Sequence, residues 1–279
     1  MKFKPHITTS TFIFIAFVIL ASIFTFYGPE LNPGFEITDV FPTTALLFGI
    51  LSGFTVSILW GRLEKTRGCL TDETGIIYSI YYRSAVFGKT IQNKVSDLID
   101  DYLIATTDAP LEEFNKSQDE FVKLYNYILN LKPSKEHTFE RGDMLAMLDE
   151  DIKNRTHVLF HSMAKLVPYL SYSVYVLGFM LILLIFYMHN YTFASAVITI
   201  LLSSTVVLVM LLIDDLNKMK LWANIFMEVN LNSIYDVIGK KRYYEEWLMK
   251  QGYQSPKPGE TYRIRDKSGK IIEKTAPKK

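Results

Sequence analysis

The sequence predicts an all-α membrane protein with four transmembrane helices and a large helical cytoplasmic insert between the second and third. Three observations carry this reading: four long blocks free of charge, the distribution of basic residues around them, and helical spacing of apolar residues in the parts between. The overall apolar share of 49% would also fit a soluble domain, so the distribution decides the class and the average does not.

The charge-free blocks are 11–27, 43–60, 166–187 and 193–213. A hydrocarbon core about 30 Å thick needs about 20 apolar helical residues, with about 17 as a lower limit. All four qualify, the first two narrowly. The last two are joined only by residues 188–192, which leaves neither helix a water-facing side. The implied organisation is a first hairpin within 1–60, an insert over 61–165, a second hairpin over 166–213 and a tail over 214–279. Lys2 and Lys4 before an apolar run also fit a signal peptide. Residues 18–24, however, lack an Ala-x-Ala-like cleavage site.

Basic residues favour cytoplasmic loops close to the membrane. The N-terminus carries Lys2 and Lys4, while the first loop carries Glu30, Glu36 and Asp39 and no base. Arg62, Lys65 and Arg67 follow the second block, and Lys218, Lys220 and Lys240-Lys241-Arg242 follow the fourth. Every segment therefore agrees with a cell-membrane protein whose N- and C-termini are both cytoplasmic. The insert holds 14 basic and 17 acidic residues, and the tail 14 basic and 9 acidic. A net +5 tail can lie against anionic headgroups or simply be solvated. No nucleic-acid partner is expected.

In the insert, Thr71-Asp72-Glu73 offers a helix start. Ile76, Ile77, Ile80, Tyr81, Val95, Leu98, Ile99, Tyr102 and Leu103 then follow helical spacing. Asp108 and Pro110 mark the next start. Phe114, Phe121, Leu124, Ile128 and Leu131 form one narrow apolar stripe, suited to core packing, helix pairing or subunit contact. A third run on Leu145, Leu148, Ile152, Leu159 and Met163 leads toward the third span with no breaker before Pro168, which predicts insert helices continuous with membrane helices. Residues 221–244 are a further helical candidate. Residues 262–265 and 270–273 read as a short, marginal hairpin around Asp266-Lys267-Ser268-Gly269.

No catalytic pattern stands out: there is no phosphate-binding glycine loop, no His-Glu-x-x-His and no paired-cysteine metal site. Cys69 is the one cysteine, so no intrachain disulfide forms. His157 and His161 share a helix face, but no third ligand is spaced to join them. No charge lies inside the spans, which argues against a charge-coupled transporter. Tyr169, Tyr172 and Tyr175 fit an interfacial aromatic belt. The chain is not expected to be an enzyme or to hold a cofactor.

The second span carries the candidate site. Ala45, Gly49, Gly53, Ser57 and Gly61 recur every four residues, and small residues at that spacing let helices pack closely in lipid. Leu46, Ile50 and Phe54 run beside them, also four apart. Copies of such a helix could pack through the small stripe and point the large one at a common axis, as a hydrophobic constriction. The alternative is that the large side chains face lipid or another helix of the same chain.

The stretch Gly53-Phe54-Thr55-Val56-Ser57, with Arg62 eight positions after the phenylalanine, resembles the second transmembrane helix of bestrophins. Leu46, Ile50 and Phe54 then match the three apolar neck residues that line the bestrophin pore. The topology is similar as well. The whole chain looks like the bacterial bestrophin-like membrane proteins, with an arginine before the third span (Arg155) and an acidic close to the fourth (Asp214-Asp215). The bestrophin calcium site uses a longer acidic run than Asp214-Asp215 supplies. The resemblance implies a homopentameric channel for inorganic ions, anions being favoured, embedded in membrane lipid. The competing expectation is a non-conducting scaffold or sensor whose cytoplasmic helices bind a protein partner through the Phe114–Leu131 stripe and the basic tail.

Overall fold

A computed structural model describes residues 9–28, 40–109, 111–190, 192–219, 231–250, 254–266 and 268–278. Lys2, Lys4, the acidic first loop and Lys220 lie outside them. The helices are α1 (Thr9–Tyr27), α2 (Val40–Ser84), α3 (Lys89–Asp108), α4 (Gln118–Leu129), α5 (Thr138–Met163), α6 (Pro168–Tyr187), α7 (Phe193–Lys218), α8 (231–238) and α9 (Glu246–Lys250). Strands β1 (Thr261–Arg265) and β2 (Ile271–Thr275) pair antiparallel, with Arg263 opposite Glu273. Among the described residues, four helical segments are long and apolar enough to cross a membrane. The chain divides into a membrane-spanning unit, residues 5–62 and 165–219, and an insert–tail unit, mainly 63–164 and 220–279.

In the membrane-spanning unit the packed face of α2 is Thr44, Phe48, Ser52, Thr55 and Leu59, a helical series. Phe48 meets α6 at Gly178. A Cβ there would sit 2.7 Å from Met210 Sδ of α7 and 3.0 Å from Phe48 Cε2, so only glycine admits both side chains. Thr192 caps α7, its hydroxyl accepting from the Ser195 N–H at 3.2 Å, which satisfies one of the unpaired first-turn amides. His189 spans from Ser195 Oγ (3.0 Å) to the Thr25 carbonyl near the end of α1 (3.2 Å).

Two expectations about helix continuity separate here. The second membrane helix does run unbroken into the insert as α2, 45 residues long. Thr71-Asp72-Glu73 therefore starts nothing, and Glu73 sits buried in mid-helix. The inward series Leu59, Leu63, Leu70, Ile77, Ile80 keeps helical spacing straight through that point, and no proline interrupts it. The third membrane helix, by contrast, is not continuous with α5. The chain leaves the helix at Ala164 (ψ 108°) and restarts with Pro168 in the first turn of α6. Proline pushes the residue before it out of the helical region, and Val167 is at φ −55°, ψ 126°.

The core of the insert–tail unit gathers α2, α3, α4, α5 and α8: Ile77, Ile80, Val95, Ile99, Tyr102, Leu103, Phe121, Leu124, Ile128, Met144, Leu148, Ile234 and Tyr235 are all buried. The Phe114–Leu131 stripe is buried throughout, so it is core and offers a partner no face. On α5 the inward residues are Met144, Leu148, Asp151, Arg155, Val158 and Ser162. Of the expected run only Leu148 is among them, and Ile152 and Met163 are exposed. The expected run named neither charged residue, yet the fold turns both Asp151 and Arg155 inward.

The tail also differs from a solvated appendage. The hairpin packs Tyr262 and Ile264 against Tyr244 and Ala276. Its Arg263 grips Asp100 with two hydrogen bonds of 2.7 and 2.5 Å. Arg265 Nε donates to Asp108 at 2.9 Å, and Tyr243 donates to the same carboxylate at 2.6 Å. Lys240 pairs with Asp97 at 2.6 Å. The acids Asp97, Asp100 and Asp108 share one face of α3, so tail bases that could have served a lipid surface are spent on the acidic insert. Of the helical candidate 221–244, residues 231–238 are helical and 239–244 are not, while 220–230 lie outside the described residues.

Candidate functional site

Packing within the membrane-spanning unit fixes which face of α2 is left over. Thr44, Phe48, Ser52, Thr55 and Leu59 are buried, and the Ser52 and Thr55 hydroxyls are satisfied within the helix. Thr55 donates to the Leu51 carbonyl at 2.7 Å and Ser52 to that of Gly49 at 3.2 Å. Both bonds keep these hydroxyls paired in an apolar medium. The opposite face carries Leu46, Ile50 and Phe54, which are 64%, 63% and 60% exposed. Among the described residues, no helix of the same chain covers them. They rise about 12 Å along one side of the helix, eight residues at 1.5 Å each.

The small stripe lies on the same uncovered side. Gly49, Gly53 and Ser57 are exposed and Ala45 is half-buried. A Cβ built on Gly49, Gly53 or Gly61 meets nothing within 4 Å, so within the protomer these glycines answer no packing need, in contrast to Gly178. Large and small stripes thus form one continuous unpartnered surface.

Arg62 closes the membrane half of α2. Its Nη2 donates to the Asn217 carbonyl and its Nε to Met219 Sδ, both at 2.8 Å. The last carbonyls of α7 have no partner of their own, and a cation suits that end of the helix. Asn217 Oδ1 in turn accepts the Leu166 N–H at 3.0 Å, just before α6. One arginine therefore ties α2, α7 and the start of the third span. Asp215, of the acidic close, accepts from Ser10 at 2.8 Å, and Asp214 pairs with Lys218. The sequence located Arg62 through its position after Phe54 but gave no sign of this bracing role.

The other residues singled out fall elsewhere. Arg155 lies in the core of the insert–tail unit. His157 and His161 stack with centroids 6.2 Å apart. Among the described residues no group of three or more His, Cys, Asp or Glu is placed to hold a metal. Cys69 is half-buried beside the Leu70, Phe114 and Val158 cluster.

The Bestrophin-like domain family matches residues 15–218 of this chain. A bacterial bestrophin homolog from Klebsiella pneumoniae with a tryptophan-to-alanine mutation superposes with a TM-score of 0.68 at 12% identity, over 84% of this chain and 99% of that one. A leucine-to-threonine mutant of a bacterial bestrophin homolog from the same organism gives 0.64 at 12%, over 84% and 100%. A membrane protein with a proline-to-alanine change gives 0.65 at 12%, also over 84% and 100%. At such identities the likeness is one of fold. No curated protein matches the chain. The family match ends at 218, so α8, α9 and the β-hairpin lie beyond it.

Proposed function

The chain belongs to the Bestrophin-like family, and from that membership we propose that it is a passive ion channel formed by several copies around a common axis, with α2 lining the pore. Leu46, Ile50 and Phe54 form the neck, and Ala45, Gly49, Gly53 and Ser57 let neighbouring α2 helices approach. The observation that carries this reading is the uncovered α2 surface, opposite the face on which Thr44, Phe48, Ser52, Thr55 and Leu59 are buried and Phe48 reaches α6 at Gly178. A ring of large apolar side chains controls conduction by size and by dewetting. Anion preference and five-fold assembly follow the bestrophin analogy. Both termini and the insert–tail unit lie in the cytoplasm, in keeping with Arg62, Lys65 and Arg67 at the second exit.

The scaffold reading loses its best feature, since the Phe114–Leu131 stripe is core. The test is halide and potassium flux from liposomes, comparing wild type with the triple variant Leu46→Ala, Ile50→Ala, Phe54→Ala. Faster flux through the variant supports the neck. Absence of flux from both, with insertion verified, contradicts the channel.

A further inference from the structure

Two carboxylates and one guanidinium are buried together in the insert–tail unit. Glu73 of α2, Asp151 of α5 and Arg155 of α5 are all nearly inaccessible. Arg155 is heavily engaged toward α2 and α3. Its Nη1 reaches Glu73 Oε1 at 3.4 Å and donates to the Tyr102 hydroxyl, which itself donates to Glu73. Nη2 donates to Ser117 Oγ at 3.0 Å. The guanidinium carbon lies 4.7 Å from the Phe114 ring centroid and 4.8 Å from that of Phe121.

Asp151 is treated differently. It sits one turn before Arg155 on the same inward face, yet neither carboxylate oxygen has a hydrogen-bond partner among the described residues, and neither does Arg155 Nε. An unpaired carboxylate in such a site is costly. One cation cannot neutralise two buried anions, so the arrangement favours two negative charges less than one plus a proton. Glu73 receives the hydrogen bonds, which leaves the proton to Asp151.

We propose that Asp151 is a proton-binding site that operates a clamp between α2 and α5. With the proton bound, Asp151 is neutral and Arg155 is held by Glu73 and Tyr102. Release breaks the Asp151 O–H bond, sends the proton to water and leaves the electron pair on the carboxylate. The new anion then competes for Arg155 through the free Nε, one turn back along α5, and loosens the contact to α2.

The surroundings agree. From α5, Arg155 and the exposed Glu150 act on Asp151, and from α2, Glu73; Tyr102 of α3 meets Arg155. The α4 side offers neutral Ser117 and Gln118. Its charges pair among themselves as Lys116 with Glu113 and Lys123 with Glu120, and Asp72, Asp119 and Lys153 are exposed. The turn Lys135–His137 lies about 21 Å away along α5, fourteen residues at 1.5 Å each. Burial pushes the Asp151 carboxyl up to about 7, with Glu150 adding to the rise and Arg155 opposing it. Burial and the neighbouring Asp151 push Glu73 well above the ordinary glutamate range, against the opposing pull of Arg155. Because the folded value lies above the ordinary aspartate value, stability is full at low pH. It falls as pH rises toward about 7 and levels off above it.

Glu73 stands on the same unbroken helix as Leu46, Ile50 and Phe54, so the clamp gives ion flux a pH dependence. That step rests on the channel reading; the proton site does not. The test is pH-difference infrared spectroscopy on the full-length protein, reading the protonated-carboxyl C=O band. Wild type should lose one buried carboxyl band as pH rises through about 7, and Asp151→Asn should lack that band. Glu73→Gln should move the transition to lower pH, since a competing anion is gone and Arg155 is freed. This arm decides the matter even if the asparagine variant folds poorly. A wild type without the band, or a band unchanged in both variants, overturns the proposal. A titrating Asp151 alongside flux that ignores pH keeps the proton site and removes its link to the pore.

Discussion

The two units of this protein solve the problem of polar groups in opposite ways. In the membrane-spanning unit, hydroxyls turn back on their own helix: Thr25 on Ala21, Thr55 on Leu51, Ser203 on Thr199. Large apolar side chains such as Leu20, Leu46 and Leu201 are left on the outside. In the insert–tail unit the centre holds Arg155 between carboxylates, and ion pairs bind the tail to α3. Lipid makes outward apolar surface free of charge but leaves an unpaired polar group stranded. Water does the reverse, and a buried charge survives only with partners.

The sharpest break in that comparison is Arg155→Met. It leaves two buried carboxylates with no cation, a loss on the order of 3–5 kcal/mol. Thermal unfolding in detergent at neutral pH should show it, and the loss should shrink at acidic pH, where Asp151 takes a proton. Next comes Leu124→Ala, deep in the insert core, at about 2–5 kcal/mol. Ile50→Ala, which is uncovered in the protomer, should leave unfolding of the isolated protomer unchanged. Gly178→Ala forces Met210 or Phe48 aside and should cost ~1–3 kcal/mol by overpacking, while Gly53→Ala should cost the protomer nothing and weaken assembly. The smallest effects separate two ion pairs. Arg263→Ala removes a two-bond, largely buried pair and should cost about 1–2 kcal/mol, given its residual exposure. Lys241→Ala loses only its exposed pair with Glu273 and should stay within about 0.5 kcal/mol. Thermal melts at low and high salt would check both.

The same contrast explains what the sequence could say. All four spans were legible because their length and lack of charge are set by the bilayer itself. The stripes Val95–Leu103 and Phe114–Leu131 were legible because water forces apolar residues inward. The face of α5 was not, since Asp151 and Arg155 sit where spacing arguments expect apolar residues, and Arg155 finds its partners on other elements. The docking of the tail depended on Arg263 meeting Asp100, a contact 163 residues apart in the chain. Its one trace in the sequence was the acidic face of α3 beside a basic tail. The α2 stripe could be located by periodicity, whereas its exposure among the described residues required the fold.

The central claim, that this uncovered stripe faces water in an assembled pore, is best tested with one cysteine. Ile50→Cys is placed in a Cys69→Ser background and treated with a charged, water-soluble thiol reagent during flux, beside Leu20→Cys on α1. The account predicts that the reagent changes flux through the Ile50→Cys protein and leaves the Leu20→Cys protein untouched. An Ile50→Cys thiol that stays unmodified while the protein conducts would contradict it.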